Sequence, residues 1–348
     1  MNYVRSVLYE VQYAYWNLRR KIQYDYLPGY RPVNLKNYIR HKREQVPVVP
    51  RRTKDCPKAL EKWYQKPMGY SFSLDDPKTF NEKINWLKLY DSTPLKGRLA
   101  DKYLVNPWIE ERIGKEYLIP IIGVWDTPNK IDFNSLPDQF VLKITNGSGR
   151  VVIVKDKNKI NKKAVIGNLA YWQRYDFAGS CFEMHYRYCE PRIIAQPYIE
   201  GLANRTMLEY KVHCFNDGAP VIWAVRNALG DENRADSIVG EPDYQIETPY
   251  SSYFDEDWNY LFKEKKHNRL DCPPPKNLKK MLAFSKKLAE GFPTVRVDWY
   301  EVDGQLYFGE MTFTHNAGLD VYDPVSIDEE LGQRIDLTRL KAWKILHQ

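Results

Sequence analysis

A chain of 348 residues is long enough for two or three lobes around a well-buried core, and its 43% hydrophobic content is that of a globular protein. Nowhere do apolar residues run for the roughly 20 positions a bilayer span needs. Arg5 and Glu10 interrupt any signal-peptide core, and the five cysteines are odd in number and form no CxxC pair. The expectation is therefore a cytoplasmic protein with reduced thiols and no structural zinc site, in which the sequons at Asn146 and Asn204 are accidental.

The net charge of +7 belongs to one end. Residues 1–55 hold 12 Lys or Arg against 4 Asp or Glu, while the remainder holds 40 against 41. Within this basic segment Val4, Leu8, Val11, Tyr15 and Leu18 form one stripe on a helix, with Trp16 and Arg19-Arg20-Lys21 near its end. A linker containing Pro47 and Pro50 follows. Such a helix suits the inner face of an anionic membrane; the alternative is packing on the body or on a partner subunit. The segment carries no zinc-finger, RNP or helix-turn-helix pattern, so nucleic acid is not an expected partner.

Residues 56–103 read as mainly helical, with a helix over 79–90. Strands are expected over 118–125 and 140–144. A turn at Gly147-Ser148-Gly149 follows, and a return strand over 151–155 completes a hairpin. Residues 160–175 predict a helix; 192–198, 208–215 and 221–227 predict strands. A helix over 277–290 starts after three prolines. Strands over 295–302 and 306–313 then flank Asp303-Gly304, the strongest hairpin signal in the chain.

Two constellations carry chemistry. The glycine turn lets backbone N–H groups approach an anion, and Lys143, four residues earlier, adds a point charge beside it. The turn is neither a Walker A loop nor a dinucleotide fingerprint, since Val152 stands where the latter needs glycine. In the second constellation Arg296 and Asp298 share one face of a strand, and Asp298 falls close to the position opposite Glu310. Two facing carboxylates in a buried sheet suit a hard cation such as Mg2+, or pairing with arginine, because unpaired they would resist ionisation.

These pieces occur in the order of a known family. The segments FNEKINWLKLYD (80–91), ADKYLVNPWIEERIGKEYLIPIIGVWD (100–126), LPDQFVLKITNGSGRVVIV (136–154), IIAQPYIEG (193–201), EYKVHCFND (209–217) and VRVDWYEVDGQLYFGEMTFT (295–314) resemble ATP-grasp ligases of the D-alanine–D-alanine ligase type. They resemble more closely the TupA-like ATP-grasp proteins of bacterial surface-polysaccharide biosynthesis. The resemblance implies an α+β ATP-grasp fold whose two lobes grip ATP, with an N-terminal basic helical extension. It divides the chain into the extension and linker (1–55), a helical region (56–137), a small lobe with the phosphate hairpin (138–195), a large lobe with the metal site (196–325) and a C-terminal helix (326–348).

It also implies roles. Lys102 and Lys143 would bind phosphates of ATP, and Gly147, Ser148 and Gly149 would form the loop closing over them. Gln196, Pro197, Tyr198 and Ile199 would touch adenine, and Glu209 the ribose. Lys211, Arg226 and Arg296 would stabilise the transferred phosphoryl group or a substrate carboxylate. Asp298 and Glu310 would hold Mg2+, with Thr312 where the wider family commonly has asparagine. His315 and Asn316 would contact the acceptor. The implied reaction is ATP- and Mg2+-dependent amide formation through an acyl phosphate, joining an amino acid or peptide to a uronic acid carboxylate of a surface glycan. A carbohydrate kinase using the same ATP site is an alternative. So is a glycosyltransferase using Asp255-Glu256-Asp257 as a DxD motif, or a scaffold without turnover.

Overall fold

The structure is a computed structural model and describes residues 53–147, 149–200, 208–226, 236–239, 249–338 and 340. The basic helix and linker expected over 1–55 lie almost wholly outside these residues. Among the described residues no helix is long and apolar enough to cross a membrane, and the five cysteines form no disulfide.

The described residues open with helices α1 (Cys56–Met68), α2 (Phe80–Tyr90), α3 (Pro94–Ala100) and α4 (Asn106–Arg112). Thr79 starts α2 with a capping box: its hydroxyl accepts from the Glu82 N–H, and the Glu82 carboxylate accepts from the Thr79 N–H. Strand β1 (Gly123–Trp125) precedes β2 (Phe140–Ile144) and β3 (Val151–Val154), after which come α5 (Lys162–Gln173), α6 (Phe177–Cys181) and β4 (Ile193–Pro197). The remaining strands are β5 (Glu209–Phe215), β6 (Val221–Arg226), β7 (Asp236–Val239), β8 (Tyr250–Phe254), β9 (Tyr260–Glu264), β10 (Asn268–Arg269), β11 (Thr294–Val302), β12 (Gln305–Thr312) and β13 (Tyr322–Asp323). Helix α7 (Leu278–Ala289) precedes β11, and α8 (Ile327–Gln333) follows β13.

Two sheets organise the molecule. The smaller runs β1-β4-β2-β3-β7 and the larger β12-β11-β5-β6-β8-β9-β13, with β10 added on β8. Alternation along β2 decides what each face of the small sheet does. Phe140, Leu142 and Ile144 bury against Val165, Leu169 and Trp172 of α5, which leaves Val141 and Lys143 on the opposite face. The large sheet repeats the logic. Val212, Ile222, Val297 and Trp299 join Met281 and Leu288 of α7 in one core, with the Trp299 indole N–H donating to Ser285 Oγ at 2.8 Å. The other face carries the odd-numbered charged positions of β5 and the even-numbered ones of β11.

The small sheet draws on residues beyond 138–195: β1 and β7 add its two edges to the three strands β4-β2-β3, and β4 runs to Pro197. The strand expected over 118–125 shortens to Gly123–Trp125. The N-terminal helices form no separate lobe: Leu60, Tyr64, Phe80 and Ile84 share a core with Trp223, Tyr253 and Phe262 of the large sheet and with Leu331 of α8. Helix α8 docks on α2, where Asn81 N–H donates to Asp328 Oδ1 at 3.0 Å and Lys83 Nζ donates to the Gly332 and Ile335 carbonyls at 2.7 Å each.

Candidate active site

A cleft of about 500 Å³ lies between the faces that carry Lys143 and Asp298. Apolar residues Leu118, Ile119, Val141, Ile153 and Phe308 line it together with Lys102, Lys143, Glu209, Lys211, Asp298 and Glu310.

The β11–β12 hairpin builds the acidic part. Its turn has positive φ at Asp303 and Gly304, the geometry that matches strand twist. Plain pairing outward from this turn would set Asp298 against Gly309. A bulge between Asp298 and Trp299 consumes one residue of β12 and brings Glu310 into register with Asp298 instead. The bulge tolerates little at Gly309, where a Cβ would stand 3.1 Å from the Asp298 carbonyl oxygen.

Both carboxylates are surrounded by cations. Arg296 donates to Asp298 through Nε (2.6 Å, to Oδ1) and Nη2 (2.7 Å, to Oδ2), and Nη2 also donates to Glu310 Oε1 at 3.2 Å. From the cross-strand position on β5, Lys211 Nζ lies 2.8 Å from Asp298 Oδ2 and 2.8 Å from Glu209 Oε2. Burial alone would raise the Asp298 carboxyl, but Arg296 and Lys211 outweigh it and hold the group well below the usual range. Glu310 is likewise held down against burial, by Lys102 first and then Arg296 and Lys211. Arg296 and Lys211 are correspondingly pushed up by their carboxylate neighbours. Facing oxygens that open into a cleft fit a hard cation, with Asp298 and Glu310 as ligands. Thr312, whose hydroxyl donates to Glu310 Oε1 at 3.3 Å, stands beside them.

The two lysines arrive from different elements. Asp101, which follows α3, accepts from the N–H groups of Tyr103 and Leu104, and Lys102 N–H donates to the Thr145 carbonyl at 2.8 Å, so the turn is stitched to the glycine hairpin. Lys102 Nζ then donates to the Gly147 carbonyl and lies 3.0 Å from Glu310 Oε2. Lys143 Nζ donates to Gln196 Oε1 at 2.8 Å. Burial, with Lys102 adding repulsion, lowers its pKa to about 8. Gly147 has φ +68°, and a Cβ there would meet the Phe177 ring at 2.0 Å, so the loop is pinned at its root. Gly149 lines the cleft, and Ser148 lies outside the described residues.

Of the adenine positions expected from sequence, Gln196, Pro197 and Ile199 line the cleft and Tyr198 between them does not. Asn316 lines it too, while His315 is buried behind Arg296. Arg226 is not brought into the group. It is exposed and continues the face of β6 opposite to Val225, with its guanidinium 5.3 Å from the Tyr250 ring. Sequence reasoning missed Trp223, which lines the cleft with Lys211 Nζ 5.9 Å and Arg296 6.0 Å from its ring. It also missed His267. Trp223 faces Lys211 across β5–β6, a register that the uniformly apolar run of β6 does not reveal, and His267 sits in a polar turn that gave no signal either.

Asp255-Glu256-Asp257 forms the turn between β8 and β9, where Asp255 accepts from the N–H groups of Asp257 and Asn259 and caps the turn. Among the described residues the one other cluster with metal-like spacing is Glu264, His315 and Asp320, all buried, their ligand atoms within 4.8 Å. Arg296 Nη1 donates to His315 Nδ1 at 2.5 Å, which leaves the imidazole proton on Nε2 with no lone pair for a cation. Burial pushes both Glu264 and Asp320 up, and Asp320 pushes Glu264 up further, so the cluster retains protons rather than a cation.

A hairpin with a glycine loop, a second sheet bearing paired acids and lysines converging between them define an ATP-grasp protein. The chain belongs to the TupA-like ATP-grasp family, whose model matches residues 82–226 and 245–336. No curated relative matches it. Among solved structures it is similar to D-alanine–D-alanine ligase from Bacillus anthracis (15% identity, 74% of this chain and 71% of that one, TM-score 0.38). It is similar also to the corresponding ligase from Helicobacter pylori (15%, 69% and 60%, 0.35) and to L-amino acid ligase from Bacillus licheniformis (12%, 77% and 57%, 0.41).

Proposed function

We propose that this protein is an ATP- and Mg2+-dependent ligase that activates a carboxylate as an acyl phosphate and joins it to an amine. The observation that carries the reading is the convergence of Lys102 on Glu310, and of Lys211 and Arg296 on Asp298, in one cleft shared with Lys143. Such a set neutralises a triphosphate and the charge that develops as its terminal phosphoryl group transfers. Asp298 and Glu310 would hold Mg2+, which supplies charge neutralisation and alignment of the phosphate oxygens. Lys102 and Lys143 bind phosphate, Glu209 accepts from a ribose hydroxyl, and Arg296 orients the carboxylate that attacks the terminal phosphoryl group. The acceptor we propose is a uronic acid of a bacterial surface polysaccharide or its precursor, and the amine an amino acid or peptide; both rest on the sequence resemblance described above.

The test is a screen of uronic acids against amino acids with Mg2+ and ATP, read by 31P NMR. Coupled release of ADP and free phosphate is expected from at least one pair, and Lys143→Met abolishes it. A phosphorylated sugar without free phosphate marks a kinase, and phosphate release undiminished in the variant overturns the site.

A further inference from the structure

His267 belongs to the cleft lining, yet neither ATP binding nor phosphoryl transfer uses it. It closes the turn after β9, where its N–H donates to the Glu264 carbonyl at 3.1 Å. A histidine in a polar turn is ordinarily free to rotate, but this one is fixed on two sides. Its ring lies nearly parallel to the Trp223 indole, 16° between planes and 6.3 Å between centroids. Its Nδ1 lies 2.8 Å from the hydroxyl of Ser251, a fully buried residue of β8. Trp223 is also the ring over which Lys211 and Arg296 lie, 5.9 Å and 6.0 Å from its centroid, so the same indole contacts both the imidazole and the charged cluster.

From this geometry we propose that His267 is the general base that takes a proton from the attacking amine. The assignment rests on the ligase reading above. The assigned tautomer is the one in which Nδ1–H donates to Ser251 Oγ, so that Nε2 keeps its lone pair for the substrate. An ammonium gives one proton to Nε2. The freed nitrogen pair forms the C–N bond to the acyl carbon, the C–O bond to phosphate breaks with its electrons going to that phosphate, and the second nitrogen proton leaves with it.

The surroundings suit the task. Burial, then Lys263 on β9, lowers the His267 pKa, so the ring is neutral and able to accept at pH 7. Asp320, in the loop after β12, acts in the opposite sense and favours the imidazolium that forms.

The test uses His267→Gln with the carboxylate and amine that release phosphate in the screen above. Hydroxylamine, already neutral at pH 7, replaces the amine in a parallel arm. The expected result is hydroxamate formation within about twofold of wild type, amide formation at pH 7 down about 100-fold, and recovery of about tenfold per pH unit as free amine accumulates. Amide formation with an unchanged rate and pH profile overturns the assignment, as does equal loss in both arms, which would mark a structural role. If no pair and no hydroxylamine reaction releases phosphate from wild type, the ligase reading itself falls and takes this assignment with it. A second readout is independent of turnover: NMR titration of the His267 ring should show a lower pKa in Asp320→Asn than in wild type, and no change would contradict the electrostatic link to Asp320.

Discussion

At the scale of single residues, Asp298 and Lys143 make opposite predictions about pH. Asp298 sits below the ordinary carboxylate range, so its ion pairs stabilise the fold at neutral pH, and that contribution is lost as pH falls through and below about 4. Asp298→Ala leaves Arg296 buried without its bidentate partner, and unfolding should become easier by about 3–5 kcal/mol at pH 7, with the gap to wild type closing in acid. Chemical denaturation at several pH values measures both. Lys143, with a pKa of about 8, is charged at pH 7 and loses its charge as pH rises through that value. Nucleotide affinity should therefore decline above about pH 8 in wild type and show no such step in Lys143→Met; calorimetric titration across pH 7–9.5 checks it.

At the scale of elements, the β11–β12 hairpin positions the acids through its bulge. Gly309→Val would drive a branched side chain against the Asp298 backbone, and strand pairing would slip toward the plain register that faces Asp298 with residue 309. Mg2+-dependent ATP turnover should fall at least about tenfold, with thermal unfolding lowered. The same hairpin shows how far the sequence carried. Asp303-Gly304 and the flanking alternation made both strands legible, and with them Arg296, Asp298 and Glu310 as one group. The bulge that completes the pairing has no local signal. Strands β8 and β9 were not legible either, because Tyr250–Phe254 places Ser251 and Ser252 in the interior, where polarity is met by His267 and by the Leu270 backbone rather than avoided. Arg226 was grouped with the site although its strand was correctly located. Which face of β6 turns to the cleft is set by its register with β5, a tertiary fact.

The loop after β12 is a further case. Asn316 and Ala317 adopt left-handed φ of 41° and 55° ahead of Gly318, a conformation that costs roughly 1–2 kcal/mol for each non-glycine residue. Asn85 Nδ2 donates to the Gly318 carbonyl at 2.9 Å, and Lys88 Nζ to the Ala317 carbonyl at 2.8 Å; both come from α2. The helix read from residues 79–90 is thus what holds Asn316 toward the cleft, a long-range role that helical periodicity does not reveal.

At the scale of the whole molecule, the cleft neutralises itself. Lys102 rests on Glu310, and Arg296 and Lys211 on Asp298, so the groups proposed for phosphate and for Mg2+ satisfy one another across the two lobes. Mg2+ alone must displace Arg296 and Lys102 from the carboxylates, and nucleotide alone must draw Lys102 from Glu310; together each releases partners for the other. Binding of the two should therefore be strongly cooperative. Lys102→Ala should bind Mg2+ alone more tightly than wild type while losing about tenfold to a hundredfold in nucleotide affinity, the worth of one charge-assisted hydrogen bond, as read by calorimetry. Weaker Mg2+ binding in that variant would contradict the exchange of partners.

The central claim is tested most directly by a crystal structure of the protein with Mg2+ and a non-hydrolysable ATP analogue. The account predicts metal on carboxylate oxygens of Asp298 and Glu310, Lys102 Nζ moved from Glu310 onto a phosphate oxygen, and Lys143 beside the same phosphates. A nucleotide bound elsewhere, with Arg296 and Lys102 still holding both carboxylates, would contradict it.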